Sequence, residues 1–305
     1  MRKLLSFAVA ALLAFGFSAG AQAAGYVLMD KGKKIENFPA APKRVVVMDY
    51  STLDTIDELG LSSVVVAVPK MHLPKYLNEF RDKKYEDVGG VMEFDIEKIY
   101  KLKPDFIVIS NRQLRNHEKL SRIAPTMNIN IDSKRYMDSF RENTLLTGKI
   151  WGKEAEAKQL VAKVDAAVNR LRAEASDRGG KALLVMFSAG RYSAFGSGSR
   201  FGIIHDAFGV GQADGNIQVS NHGKAVNSEY IARINPDYFF VVDRDAVVEG
   251  KAAPRKEVEN ALIRTTNAFK NGKIGYLPAD HWYLANGGAK SLLLMINDIH
   301  SVITK

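Results

Sequence analysis

The sequence predicts an α/β protein of two lobes, each with a mostly parallel sheet flanked by helices, joined by one long helix. Three observations carry this. One supersecondary unit occurs twice, from Glu97 to Arg112 (EKIYKLKPDFIVISNR) and from Glu229 to Arg244 (EYIARINPDYFFVVDR), in register throughout. In both copies a short amphipathic helix runs into Pro-Asp and then a continuous apolar run, Phe106–Ile109 or Tyr238–Val242. Such a run, free of alternation, reads as a strand buried on both faces of a parallel sheet. Between the copies, Leu146, Ile150, Ala157, Val161, Val164, Val168 and Leu171 recur at helical spacing without an internal proline.

The elements follow in order. Arg2-Lys3, an apolar stretch from Leu4 to Phe17, and Ala21-Gln22-Ala23 match an export signal cleaved near Ala23. The apolar stretch is too short to span a bilayer. Residues 1–23 are therefore expected to be a signal peptide, 24–142 the N-terminal lobe, 143–176 the connecting helix and 177–305 the C-terminal lobe. Tyr26–Met29 and Lys33–Glu36 flank Asp30-Lys31-Gly32 as a hairpin. Pro39 and Pro42 introduce a buried strand, Arg44–Met48, then a helix that Ser51 or Thr52 caps and Gly60 ends. Val64–Val68 and Phe106–Ile109 are further strands, and this alternation predicts βα units.

The connecting helix runs from about Asn143 to Arg172, on the order of 40 Å at 1.5 Å per residue. Gly148 and Gly152 lie inside it and leave a helix–kink–helix open. In the second lobe, Ala182–Phe187 is a strand, Phe201–Ala207 and Glu229–Ile234 are helices, and Tyr238–Val242 and Ile274–Leu277 are strands. Ala289–Ile303 is the terminal helix, and Val248–Glu257 an exposed loop.

With 305 residues, 46% hydrophobic and 25% charged, the chain has an ordinary soluble composition. It contains no cysteine, hence neither disulfides nor a cysteine for lipid attachment. A free periplasmic protein of a two-membrane bacterium, working as a monomer, is expected. The net charge of +9 favours an acidic small molecule. The basic residues form no run and no array with aromatics, which argues against nucleic acid. The signatures GxxxxGK[ST], HExxH and GxSxG are all missing, so a binding protein is expected rather than an enzyme. Gly196-Ser197-Gly198 reads as a tight turn.

Ligands of open α/β sheets collect beyond the carboxyl ends of the strands, where Arg112 and Arg244 stand. A cleft between similar lobes, each offering a guanidinium, suits an anion. Among the histidines, His205 reads as a half-buried helix residue, and His72, His117 and His300 as solvent-facing. His222 lies in a loop before the Glu229 helix, and Tyr283 directly after the last strand. From composition alone both read as plain loop residues.

Six motifs together make the chain recognisable: PKRVVV at 42–47, ISNR at 109–112, GSRFG at 198–202, NHGK at 221–224, VDR at 242–244 and WYL at 282–284. Over essentially the whole mature chain it resembles the periplasmic siderophore-binding proteins of ABC importers, the class III, helical-backbone type. Within them it is similar to the ferric-catecholate, enterobactin-type subfamily. The resemblance implies a shallow cleft between lobes, with Arg112, Arg200 and Arg244 around the ligand. It implies that His222 and Tyr283 can bind the iron itself, and that Glu97 and Glu229 dock onto permease arginines. No permanent cofactor is expected, because Fe(III) arrives as a siderophore complex. A haem binder of the same fold is the alternative, since histidine and tyrosine are also haem ligands. Three cleft arginines exceed what two propionates need.

Overall fold

The computed structural model of the chain describes residues 41–305 and, before them, the backbone of β1 (Met29–Asp30) and β2 (Lys33–Lys34), which pair antiparallel. The expected signal peptide lies outside the described residues. Among the described residues no helix is long and apolar enough to cross a membrane.

The N-terminal sheet contains β3 (Val45–Val47), β4 (Val65–Val68), β5 (Glu86–Asp87), β6 (Phe106–Ile109) and β7 (Thr126–Asn128). All are parallel, in the order β5-β4-β3-β6-β7. The two central strands, β3 and β6, are buried at every residue, as an unbroken apolar run requires when helices cover both faces. Three helices belong here: α1 (Tyr50–Glu58), α2 (Ile96–Lys101) and α3 (His117–Ser121). The cap of α1 is neither Ser51 nor Thr52 but Asp49, whose carboxylate accepts from the Thr52 amide at 2.8 Å.

The expected single connecting helix is two helices, α4 (Tyr136–Ile150) and α5 (Glu154–Arg178). The chain reverses through Trp151–Lys153, where Gly152 takes a φ of +67° open mainly to glycine. The Lys153 amide donates to the Gly148 carbonyl at 2.7 Å, and the Trp151 indole to the Pro42 carbonyl at 2.8 Å. A Cβ on Gly148 would stand 2.5 Å from that of Ala157, so the helices meet at that glycine. Arg141 of α4 and Asp165 of α5 form an ion pair at 2.9 Å. The apolar period continues across the break because both helices face one core, so periodicity alone missed it. The expected boundary at 142/143 falls inside α4, and α5 alone, about 37 Å long, leads into the second lobe.

The C-terminal sheet contains β8 (Lys181–Ser188), β9 (Arg191–Phe195), β10 (Gly211–Gln212), β11 (Lys224–Val226), β12 (Tyr238–Asp243) and β13 (Ile274–Leu277). Its order is β11-β9-β8-β12-β13, with β10 also paired to β8. Strands β8, β10, β11, β12 and β13 run in one direction, and β9, between β8 and β11, runs against them. The expected helix over Phe201–Ala207 is the single turn α6 (Ile203–Asp206). After α7 (Ser228–Ile234), the expected loop at Val248–Glu257 holds the end of α8 (Asp245–Val248) and the start of α9 (Arg255–Val258). A further turn, α10 (Asn267–Lys270), precedes the terminal α11 (Ala289–Ile303).

The sequence repeat is a structural one. Lys103 and Asn235, at matched positions, both end their helices in the left-handed region, at φ 47° and 48°. The following prolines cannot continue a helix. Asp105 then accepts from the amides of Lys43 and Arg44 (2.8 and 2.9 Å), fixing the start of β3 beside β6. Asp237 does the same for β8 beside β12, accepting from the Lys181 amide at 2.9 Å. Pro-Asp thus registers the two central strands of each lobe.

Candidate ligand-binding cleft

Tyr283 is positioned by a buried polar anchor. After β13 the chain makes one turn of π-helix, Asp280–Leu284, a form often found at functional sites. His281 is buried between Asp280 (3.0 Å) and Asp298 of α11 (2.7 Å). Burial disfavours its imidazolium, but the two carboxylates prevail and push its pKa up to about 9. The fully buried Trp282 donates its indole N–H to Asp298 at 2.9 Å.

The next residues cross to the other lobe. The Tyr136 hydroxyl donates to the Asn286 carbonyl, and the Gly287 amide donates to Ser51 Oγ at 3.1 Å. Asp54 of α1 accepts from the amides of Lys290 and Ser291, each at 2.8 Å, and so caps α11 from the opposite lobe. A side chain at Gly287 would stand 2.5 Å from Ile131, and one at Gly288 2.4 Å from Asp54. Both positions require glycine.

Between the lobes lies a cleft of about 740 Å³, lined by Arg112, Arg115, Arg200, His222, Arg244 and Tyr283 among others. Arg112 stands in the first turn of a 3-10 helix, Asn111–Asn116, started by a Ser110–Gln113 capping box. Arg200 comes from the turn between β9 and α6, and Arg244 directly follows β12. Arg112 Nη2 and Arg200 Nη2 both donate to the Tyr283 carbonyl, at 2.7 and 2.9 Å. That oxygen lies at the end of the π-turn, and the amide that would continue the ladder, Gly288, donates to Ser291 Oγ instead. Arg244 Nε donates to the Tyr283 hydroxyl at 3.3 Å. The guanidinium carbons of Arg200, Arg112 and Arg244 lie 4.0, 5.1 and 5.9 Å from the Tyr283 ring centre.

Burial alone would raise the Tyr283 phenol. Arg200, the Arg244 hydrogen bond and Arg112 outweigh it and bring the pKa down to about 8. Arg200 itself is pulled below its ordinary value, by burial and then by repulsion from Arg112. Arg244 has a carboxylate neighbour, Asp245 at 3.6 Å. An anion entering the cleft would relieve the strain of gathering like charges in a half-dry site.

His222 is exposed, on the loop before β11. Its amide and that of Gly223 donate to Ser220 Oγ, and the Ser220 amide donates to Ser199 Oγ, each at 3.1 Å. The His222 loop is thereby tied to the turn that carries Arg200. The structure brings His222, Tyr283 and the three arginines singled out from the sequence to one cleft. Glu97 and Glu229 are outside it, exposed at the second residue of α2 and of α7. Because each helix returns to the start of its following strand, its N-terminus lies level with that strand's carboxyl end, on the cleft side of its lobe.

Arg115, Met92 and Asp49 are among the lining residues that sequence reasoning missed. Arg115 lies one 3-10 turn beyond Arg112 on the same face, and ISNRQLR carried that signal. Met92, 62% exposed, and Asp49, already a helix cap, carried none. Of the other histidines, half-buried His205 bonds the Val210 carbonyl, as a helix residue should, and exposed His300 pairs with Glu174 at 2.6 Å. Among the described residues no three His, Asp or Glu side chains gather into a metal site.

The family model for periplasmic binding proteins matches residues 45–281. The chain belongs to the periplasmic binding protein family. It is therefore a binding protein rather than an enzyme. It is 42% identical over 267 residues to the petrobactin-binding protein YclQ of Bacillus subtilis (strain 168), covering 88% of this chain and 84% of that one. The crystal structure of YclQ superposes with a TM-score of 0.88 over 92% of this chain and 99% of that one, at 40% identity. The ferric-anguibactin-binding protein FatB of Vibrio anguillarum is 35% identical, with 85% of this chain and 81% of FatB covered. The periplasmic catecholate-siderophore binding protein VctP from Vibrio cholerae superposes with a TM-score of 0.81, at 34% identity, over 87% of this chain and 95% of VctP.

Proposed function

We propose that this protein captures a ferric catecholate siderophore in the periplasm and delivers it to an inner-membrane ABC permease for iron uptake. The observation that carries this reading is the convergence of Arg112, Arg200 and Arg244 on the phenol-bearing residue Tyr283, inside an interlobe cleft that His222 also lines. Catecholate oxygens around Fe(III) leave a net negative complex, and guanidinium groups offer charge, forked donors and a flat face for electron-rich rings. The likeness to FatB, named for a ferric ligand, supports an iron complex, and the likeness to VctP, named for catecholate siderophores, supports the catecholate class.

Tyr283 and His222 are the iron ligands in this reading. A phenolate is a hard oxygen donor suited to Fe(III), and the lowered pKa of Tyr283 eases its ionisation. A tetradentate bis-catecholate leaves two coordination places, for the phenolate and the imidazole. A hexadentate tris-catecholate of the enterobactin type leaves none and is held by the arginines. Glu97 and Glu229, one on each lobe at the level of the cleft, dock onto basic residues of the permease.

Titration of the mature protein with ferric bis-catecholate, ferric tris-catecholate and haem tests this by fluorescence and visible absorbance. A broad catecholate- and phenolate-to-iron band is expected. A Soret band with no response to either catecholate would overturn the reading.

A further inference from the structure

The two proposed docking acids stand at matched repeat positions, yet their surroundings differ. One turn along α2 from Glu97, Tyr100 is 68% exposed. The i, i+3 spacing puts both residues on one helix face. Glu97, Tyr100, Ile96 and Ile123, with Lys101 and Lys119, border a shallow hollow of about 320 Å³. In the second copy Ser228 stands in place of Ile96 and Ala232 in place of Tyr100. The tyrosine that α7 does carry, Tyr230, matches Lys98 instead and is engaged. Its hydroxyl donates to Asp214, and Lys224 and Arg233 lie 4.9 and 5.7 Å from its ring. Among the described residues α7 presents no large exposed apolar side chain.

We infer that Tyr100 and its hollow receive an apolar side chain from the half of the permease that meets the N-terminal lobe. The two halves are then read by different chemistry, a carboxylate with an aromatic anchor on one lobe and a carboxylate alone on the other. This rests on the docking reading of Glu97 and Glu229. The occupant follows from position: Glu97 itself borders the hollow, on the cleft side, so the permease segment that meets this acid also covers Tyr100. Its partner must carry a basic group with an apolar side chain beside it. Aromatic side chains in such hollows are typical binding hot spots. Two acids related by a pseudo-twofold would accept the permease in either of two orientations, and an anchor on one lobe admits a single orientation.

The test measures uptake of radioactive iron, given as ferric bis-catecholate, by the bacterium that makes the protein, with variants replacing the native gene. Ligand affinity of the purified variants is followed by fluorescence. Tyr100→Ala with Ile123→Ala is expected to lower uptake about tenfold or more at unchanged ligand affinity. Moving the anchor, Tyr100→Ala with Ala232→Tyr, is expected to leave uptake impaired. Normal uptake by the first variant, while Glu97→Arg still abolishes transport, removes the hollow from the interface and leaves the docking acids in place. Recovered uptake in the exchange variant makes the two permease halves equivalent and overturns the inference. Normal transport with both Glu97→Arg and Glu229→Arg brings down the docking reading itself.

Discussion

Arg112, from the N-terminal lobe, donates a 2.7 Å hydrogen bond to the main-chain carbonyl of Tyr283, which follows the last strand of the other lobe. Arg200 uses the same oxygen at 2.9 Å, and its guanidinium lies 4.0 Å from the Tyr283 ring centre. The cleft thus holds its cations in place through protein contacts, which reduces the ordering cost of binding an anion. Arg200→Ala is expected to weaken ferric bis-catecholate binding about ten- to a hundredfold, as for loss of a charge-assisted hydrogen bond. An unchanged affinity by fluorescence titration would remove Arg200 from the ligand's surroundings.

The same arginines govern the ionisation of Tyr283. In the ligand-free protein, ultraviolet absorbance should show one tyrosine titrating near pH 8. Arg200→Gln should move that step upward, since Arg200 is the largest influence opposing burial. Tyr283→Phe should abolish it. A step that persists in Tyr283→Phe belongs to another residue.

Direct coordination by Tyr283 has its own signature. Tyr283→Phe is expected to weaken the tetradentate ferric complex at least tenfold more than the hexadentate one, and to shift its visible band. Equal losses for the two ligands would show that the phenol does not reach the metal.

The strand–helix repeat was legible in the sequence because its devices are local. Pro-Asp, the buried runs and the arginines that follow lie within sixteen consecutive residues, and the fold reuses them nearly unchanged. The reversal at Trp151–Lys153 was not, because the apolar phase passes through it. Arg112 and Arg244 followed from the repeat, whereas Arg200, His222 and Tyr283 rested on family resemblance. Nothing in the sequence pointed to the Tyr283 carbonyl as the common acceptor, since a backbone oxygen freed by a π-turn has no residue signature. No motif singled out His281 either, which is buried between two aspartates, one of them 17 residues further along the chain.

That histidine gives the fold a pH dependence. Its folded pKa of about 9 lies above its ordinary 6.5, so its stabilisation is fully present below pH 6.5 and lost as pH rises through 9. The magnitude is on the order of 3 kcal/mol. Tyr283, with a lowered pKa, acts in the opposite sense between about pH 8 and 10. The informative comparison is therefore with His281→Gln, not with the wild-type slope alone. Urea unfolding at pH 6.5 and 9.5 should show the wild type losing its advantage over that variant. An advantage that does not change with pH would mean that His281 is neutral in the folded protein.

Asp54 sets the opposite lobe's grip on the Tyr283 segment. Its carboxylate accepts from the amides of Lys290 and Ser291 and from the Tyr76 hydroxyl, while burial raises its pKa from 3.8 to about 6. An acid raised in this way stabilises the fold below pH 3.8 relative to higher pH, and that contribution, about 3 kcal/mol, is lost as pH rises through 6. Asp54→Asn removes the slope and keeps one acceptor for the helix end. Asp54→Ala removes the acceptor of two amides at the start of α11 and of the Tyr76 hydroxyl, and should cost about 2–4 kcal/mol at pH 7. Because α11 and the Tyr283 turn share this tie, Asp54→Ala should also weaken ligand binding in protein that is still folded, whereas Asp54→Asn should bind nearly as the wild type does. Unfolding curves and fluorescence titrations of both variants decide the matter. Equal binding by the alanine variant would show that the π-turn holds Tyr283 through His281 and Trp282 alone.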